Sequence, residues 1–252
     1  MKSMLVFAYT AVLFLYLTGT GPPAAAPAAG GQMVVLLHGL GRTAKSMAYL
    51  ETRLKEAGYT VFNYDYESRK NDIVSLVKDL QEFIENCCSR QETKFNFVTH
   101  SLGGILVRAY LADNRPGNLG RVVMLSPPNK GSDVVDFFRD YPLFEYFFGQ
   151  AAAELGTGRD SFPNSLGPAD FEVGIITGDR TIDPISSWII DGDDDGKVAI
   201  ERTKLEGMTD FLVMHVSHAF IMEDPQVVDE VIYFLENGRF LPIEELPGIE
   251  QK

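Results

Sequence analysis

Phe95-Asn96-Phe97-Val98-Thr99-His100-Ser101-Leu102-Gly103-Gly104 decides how this chain folds, because an apolar run stops at a serine flanked by small residues. The run reads as a buried strand, and the glycines after it open a helix. A serine at such a strand-to-helix turn sits on a strained backbone that thrusts its hydroxyl outward, and bulk beside it would clash. The pattern expected of that turn is G-x-S-x-G, and here Thr99 stands in the place of the first glycine. The match is partial, so its meaning depends on what the flanking chain supplies.

Working outward, Met33 to Leu37 reads as a buried strand ending at His38-Gly39-Leu40-Gly41-Arg42. Thr43 is placed to cap a helix in which Met47, Leu50, Leu54 and Ala57 recur at helical spacing until Gly58 stops it. Tyr59 to Tyr64 is the next strand, and Asn71 caps a second helix with Ile73, Val77, Leu80 and Ile84 on one face. Beyond the serine, Ile105, Leu106, Ala109 and Tyr110 form the inward face of a third helix. Arg121 to Leu125, Phe171 to Thr177 and Phe211 to Val216 are further strands, and Val228, Val231, Ile232 and Leu235 mark a closing helix. Short β-rich runs alternating with helical segments predict an α/β fold, a mostly parallel sheet of about six strands flanked by helices.

The alternation breaks over residues 131–167, a cap-like insertion of two or three short helical pieces rich in aromatics. Phe137, Tyr141, Phe144 and Phe148 share a helical face, with Pro142 starting a new helix. Such a stripe either covers the core or forms a cap in which Phe144 and Phe148 line an apolar substrate pocket.

With 252 residues the chain suits one sizeable domain, expected over 30–252. Its formal charge of −13 argues against nucleic acid or a strongly anionic membrane as partner. Cys87 and Cys88 are adjacent, which disfavours a mutual disulfide and reads as free thiols. Lys2, the apolar run Met4 to Leu17 and the Ala/Pro stretch Pro22 to Ala29 read as a secretory signal peptide over 1–29, cleaved near Ala26 to Ala29. The alternative is an uncleaved anchor. Either places the domain in a periplasmic or extracellular space, with membrane attachment only if the segment is retained.

A reactive serine needs a base to take its proton, an acid to orient that base, and backbone donors for an oxyanion. Of four histidines, His38 lies after the first strand, His100 adjoins the serine and points elsewhere, and His215 falls inside an apolar strand. His218 follows the last strand in Val216-Ser217-His218-Ala219-Phe220, at the carboxyl edge of the sheet, and is the expected base. The acid is sought in Asp191-Gly192-Asp193-Asp194-Asp195-Gly196, with Asp195 preferred, Asp194 its main rival, and Asp179 and Asp183 weaker ones. That loop opens like a calcium loop, but Arg202 occupies the place where an EF-hand needs its closing glutamate, so no metal ligand set is assigned and a looser calcium site stays open. Oxyanion donors are expected from the backbone of Leu102, directly after the serine, and of Leu40.

The order Ser101, Asp195, His218 is that of the α/β hydrolases. On His38-Gly39-Leu40-Gly41-Arg42, Thr99-His100-Ser101-Leu102-Gly103-Gly104, Ser126-Pro127-Pro128-Asn129-Lys130-Gly131-Ser132, Asp194-Asp195-Gly196-Lys197-Val198 and Val216-Ser217-His218, the chain resembles secreted bacterial lipases and esterases of that superfamily, similar in plan to the small Bacillus lipase. The resemblance spans Met33 to Phe240. It implies a serine nucleophile at Ser101, the acid at Asp195, the base at His218, donors at Leu40 and Leu102, a small-molecule or lipid ester as substrate, and no cofactor. Two departures stand out: Thr99 for glycine, and the aromatic insertion, which the minimal lipase lacks. An acyltransferase using the same triad and a non-catalytic lipid- or partner-binding member of the fold are the other readings.

Overall fold

The computed structural model describes residues 31–88 and 93–242, so the leader expected over 1–29 lies outside the described residues. Six strands form one sheet: β1 (Met33–Leu37), β2 (Thr60–Tyr64), β3 (Phe95–His100), β4 (Leu119–Leu125), β5 (Val173–Gly178) and β6 (Asp210–Met214). Their spatial order is β2-β1-β3-β4-β5-β6, and every neighbouring pair runs parallel. Ten α-helices connect and cover them: α1 (Ala48–Glu56), α2 (Ile73–Cys87), α3 (Leu102–Asp113), α4 (Asp133–Phe138), α5 (Phe144–Phe148), α6 (Gln150–Ala153), α7 (Phe162–Ser165), α8 (Pro184–Ile189), α9 (Ile200–Thr203) and α10 (Pro225–Asn237). Among the described residues no helix is long and apolar enough to cross a membrane.

A parallel sheet buried on both faces needs apolar residues at every strand position, not at alternate ones. Accordingly β1 is buried throughout, and its residues divide between two cores. Met33, Val35 and Leu37 join Ile73, Leu76, Leu80 and Ile84 of α2 and Leu102, Ile105 and Leu106 of α3 on one face. Val34 and Leu36 join Leu50 and Leu54 of α1 and Val227, Val228, Val231 and Leu235 of α10 on the other. Because the strands run one way, their carboxyl ends lie along one edge, and the loops there carry the site.

The structure corrects several local readings. The cap of α2 is Asp72, whose carboxylate accepts from Ser75 N–H, and not Asn71. Thr43 precedes a short 3₁₀ turn and its hydroxyl caps nothing. The last strand stops at Met214, where the Val216 N–H turns back onto the Met214 carbonyl and leaves His215 exposed. Cys87 and Cys88 form a disulfide. Cys88 has left helical geometry at the end of α2 and is buried against the α2–α3 core, so the two side chains do not diverge as successive helical residues would.

Helix α3 is buried from Leu102 to Leu111, on the face expected from its apolar spacing and also on the opposite one. The insertion provides that second cover. The guanidinium of Arg108, itself buried, donates to the carbonyl and side-chain oxygens of Asn129 and to the carbonyls of Leu166 and Gly167. Phe144 is likewise buried in the α2–α3 core with Ala151, Ala152 and Leu155. The shared face of Phe137, Tyr141, Phe144 and Phe148 does not exist as one helix. Phe137 lies on α4 and stacks with Tyr141, while Phe144 and Phe148 lie on α5, which starts after Leu143 takes a left-handed turn.

On the other side of the sheet, Glu230 of α10 is a carboxyl at 1 % exposure. One oxygen accepts from Leu241 N–H at 2.9 Å and the other has no partner. Burial pushes its pKa up to about 7, against the Leu241 hydrogen bond, with the charges of Asp210 and Asp229 adding to the rise. A raised carboxyl stabilises the fold fully below its unfolded pKa of about 4.5 and loses that contribution as pH climbs through about 7. Glu230→Gln keeps the acceptor and cannot ionise. Its melting temperature should exceed that of the parent by a few degrees at pH 8 and converge on it near pH 5; equal melting temperatures at pH 8 would contradict the assignment.

Candidate active site

Strand β3 leads into Ser101, whose φ of 52° and ψ of −118° place a non-glycine residue in strained backbone territory. Its N–H is held by the Leu125 carbonyl at the end of β4, at 2.9 Å. The glycines after it serve clearance: a Cβ on Gly103 would sit 2.8 Å from Leu37, and one on Gly104 would sit 3.0 Å from Pro127 and 3.3 Å from the Thr99 hydroxyl. The bulk of Thr99 is thus accommodated against Gly104, which explains why the first glycine of the pattern is dispensable here.

The candidate base and acid meet across a single hydrogen bond. His218 Nδ1 lies 2.8 Å from Asp195 Oδ2, and since a carboxylate only accepts, Nδ1 carries the proton. In the neutral form of that tautomer the lone pair sits on Nε2, where a base requires it. The His218 N–H also donates to the Asp195 carbonyl at 2.9 Å, so main chain and side chain are both registered on the acid. The other Asp195 oxygen accepts from the N–H groups of Lys197 and Val198, at 3.0 and 2.9 Å. Asp195 is almost fully buried, which by itself would raise its pKa. The positive charge and hydrogen bond of His218, the Val198 N–H and the neighbouring Ser126 hydroxyl outweigh burial and hold it below the usual carboxylate range.

The rivals for the acid are all engaged elsewhere. Asp194 accepts from the Ser187 hydroxyl and Gly196 N–H, Asp183 from Lys197, and Asp179 pairs with the exposed His215 at 2.8 Å. Arg202, where a calcium loop would place a glutamate, forks onto both oxygens of Asp133 at the start of α4. Among the described residues no cluster of three or more metal-ligating side chains is arranged around a common point.

The turn after β1 lies directly against Ser101. A Cβ on Gly39 would approach His100 Nδ1 to 2.7 Å and the Ser101 Cβ to 3.2 Å, so only glycine lets this loop come so near. The loop is shaped by His38, fully buried, which stacks on Tyr66 and receives its N–H, while the Tyr66 hydroxyl donates to the His38 carbonyl. Among the described residues neither the Leu40 N–H nor the Leu102 N–H donates to a protein acceptor. Leu102 directly follows the serine, and Leu40 follows the glycine that abuts it.

Three residues with no assigned part in the sequence reading hold these pieces together. His100 does not point elsewhere: its Nε2 donates to the His218 carbonyl at 3.0 Å, and the two rings lie 4.8 Å apart. Burial, reinforced by the charge of His218, pushes its pKa far below the usual histidine value, so it stays neutral. Arg42 reaches from the Leu40 turn to the Ala219 carbonyl at 2.9 Å. Ser126, with φ 48° and a buried hydroxyl, follows β4 beside Asp195 without completing a hydrogen bond. Only the position of Ser126 next to a proline pair hinted at a constrained turn. The links of His100 and Arg42 span more than 100 residues and leave no local trace.

The expected pocket residues fall differently. Phe144 is core, and Phe148, half exposed on top of it, is not among the residues lining the cavity shared with His218. That cavity is walled by residues 182–185, 195–197 and 218–219.

A family model described as serine aminopeptidase, S33, matches residues 30–157. Solved structures of similar fold include phospholipase PlaB from Legionella pneumophila, at a TM-score of 0.63 and 17 % identity over 83 % of this chain and 60 % of that one. Mature Bacillus licheniformis lipase BlEst2 superposes with a TM-score of 0.61 and 19 % identity over 86 % of this chain and 96 % of the lipase. The metagenomic carboxyl esterase MGS0156 gives 0.59 and 16 %, over 88 % and 75 %. At these identities the likeness is one of fold, and the chain spans about three fifths of the length of the Legionella phospholipase.

Asp195→Asn should slow labelling of Ser101 by a fluorophosphonate by at least about a hundredfold, because the amide stabilises the wrong imidazole tautomer. Asp194→Asn should slow it by less than about fivefold, its bonds going to Ser187 of α8 and to Gly196 and not to the imidazole. The reverse ranking would reassign the acid.

Proposed function

Starting from the chain's membership of the serine aminopeptidase S33 family of α/β hydrolases, we propose that it cleaves carboxylic esters through a serine-bound acyl intermediate. The observation that carries this reading is the His218–Asp195 hydrogen bond at the carboxyl edge of the sheet, in a loop tied by its His218 carbonyl to His100, the neighbour of a serine on a strained turn. Ser101 attacks the ester carbonyl as His218 takes its proton, and the Leu40 and Leu102 N–H groups receive the oxyanion. His218 then returns the proton to the departing alcohol, and water releases the acid by the same steps. Asp195 keeps its charge throughout and stabilises the imidazolium.

An ester is favoured over the free amino terminus of a peptide because the carboxylates near the cavity are not available to an ammonium group. Asp183 is neutralised by Lys197, and Asp195 is buried against His218. Lipases and a carboxyl esterase among the structures of similar fold support the same choice. The acyl chain is assigned to the side of Phe148: Gly149 next to it abuts the Arg69 backbone, and the Arg69 side chain borders Gly41 of the oxyanion turn. The leader expected over 1–29 and the Cys87–Cys88 disulfide support a location outside the reducing cytoplasm.

The parent should hydrolyse p-nitrophenyl esters and take a fluorophosphonate label, and Ser101→Ala should lose the label and lower kcat by about 10⁴-fold or more. A folded parent that neither labels nor hydrolyses any ester would sink the proposal. Phe148→Ala should shift the preferred acyl length in a panel of p-nitrophenyl esters; an unchanged profile removes Phe148 from the acyl path.

A further inference from the structure

A cavity of about 350 Å³ opens against the base loop, walled by Ile182, Pro184, Ile185, Lys197, His218 and Ala219. Its surface is mostly hydrocarbon. Ile182 and Ile185 stand 53 % and 67 % exposed, two aliphatic side chains that the protein leaves in water beside its candidate base. The charged groups at the wall cancel: Lys197 Nζ lies 2.5 Å from Asp183 Oδ2 and 3.1 Å from the Ser186 hydroxyl, and Asp183, held by Lys197 at a pKa of about 2, stays ionised to keep that pair. No free charge is presented to a polar head group. An apolar pocket of this size beside a few oriented polar groups is the usual form of a small-ligand site.

Direction decides what enters it. Around the tetrahedral carbon, the oxyanion faces Leu40 and Leu102, whereas the leaving oxygen must face His218 Nε2, which gives it a proton. The cavity shares His218 and Asp195 with the site and has neither Ser101 nor Leu40 nor Leu102 in its wall, so of the two halves of the ester it neighbours the one that His218 protonates. The geometry points to this cavity as the subsite for the alcohol half of the ester, an apolar alcohol without a charged head group, with Ile182 and Ile185 setting alcohol preference. This rests on the ester-hydrolase reading above and adds to it the part of the substrate that the 182–185 loop recognises. The aromatic insertion has no share in it.

The test holds one half of the ester fixed while varying the other. In a pH-stat assay, kcat/KM is measured for methyl, butyl, hexyl and benzyl acetate, and separately for methyl acetate, butyrate and hexanoate, with the parent, Ile182→Ser and Ile185→Ser. Both side chains are surface-exposed, and unchanged melting temperatures confirm that the variants fold. The expected result is a parent that prefers hexyl over methyl acetate and variants in which that ratio falls roughly tenfold. The hexanoate to acetate ratio among methyl esters should keep its parental value. Variants that leave the alcohol series intact, or that flatten the acyl series in its place, overturn the subsite while the hydrolase reading stands. A parent that cleaves no ester and takes no fluorophosphonate on Ser101 overturns both.

Discussion

A carboxylate at 1 % exposure is tolerable only if its neighbours are built to receive it, and the arrangement around Asp195 is the constraint on which the rest of this edge depends. Its four partners come from two loops. Lys197 and Val198 fix the loop that carries it, and the ring and backbone of His218 fix the loop after β6. Without those bonds the charge would be stranded, and with them the two loops cannot move independently. Ser126 lies beside the same carboxylate, one residue beyond the carbonyl that receives the Ser101 N–H. The acid is thereby linked through β4 to the nucleophile turn.

A second set of bonds closes the circuit from the opposite side. Arg42 ties the turn after β1 to Ala219, and His100 ties the residue before the serine to the His218 carbonyl. Both grip the main chain of the base loop and not the imidazole. Ring orientation is therefore left to Asp195 alone, while the height of the loop above the sheet is set by Arg42 and His100. Keeping His100 neutral matters for this division, since a positive charge 4.8 Å from the His218 ring would oppose any charge on that ring.

Much of this was legible in the residues. The continuous apolar run at Met33 to Leu37 read as a buried strand, and the structure divides its residues between two cores in strict alternation. Ser101, Asp195, His218, Leu40 and Leu102 could be nominated because each follows a strand or sits in a turn, where sequence is punctuated by glycine. What stayed hidden were properties that depend on a partner distant in sequence. The aromatic stripe of 137–148 divides close to Pro142, where a new helix was expected, with α5 starting after the left-handed turn at Leu143, but its spacing did not show that Phe144 enters the core. An apolar periodicity on α3 revealed one buried face, whereas the second is buried by residues some 60 positions downstream. Adjacent cysteines read as free thiols because adjacency disfavours a mutual bridge, and the departure of Cys88 from helical geometry left no mark in the sequence.

The buried guanidinium of Arg108 has a consequence for how such a scaffold can change over evolutionary time. By holding the carbonyls of Leu166 and Gly167 together with Asn129, it makes the insertion a structural wall of the nucleophile helix. A lineage cannot shed or exchange that segment without stranding a cation in its core. The short α8 segment hangs on the outside with Ile185 and Trp188 in water, fastened at its start by Asp183, Ser186 and Lys197. Sequence drift is thus channelled to one rim of the protein, where residues can be traded without renegotiating the core.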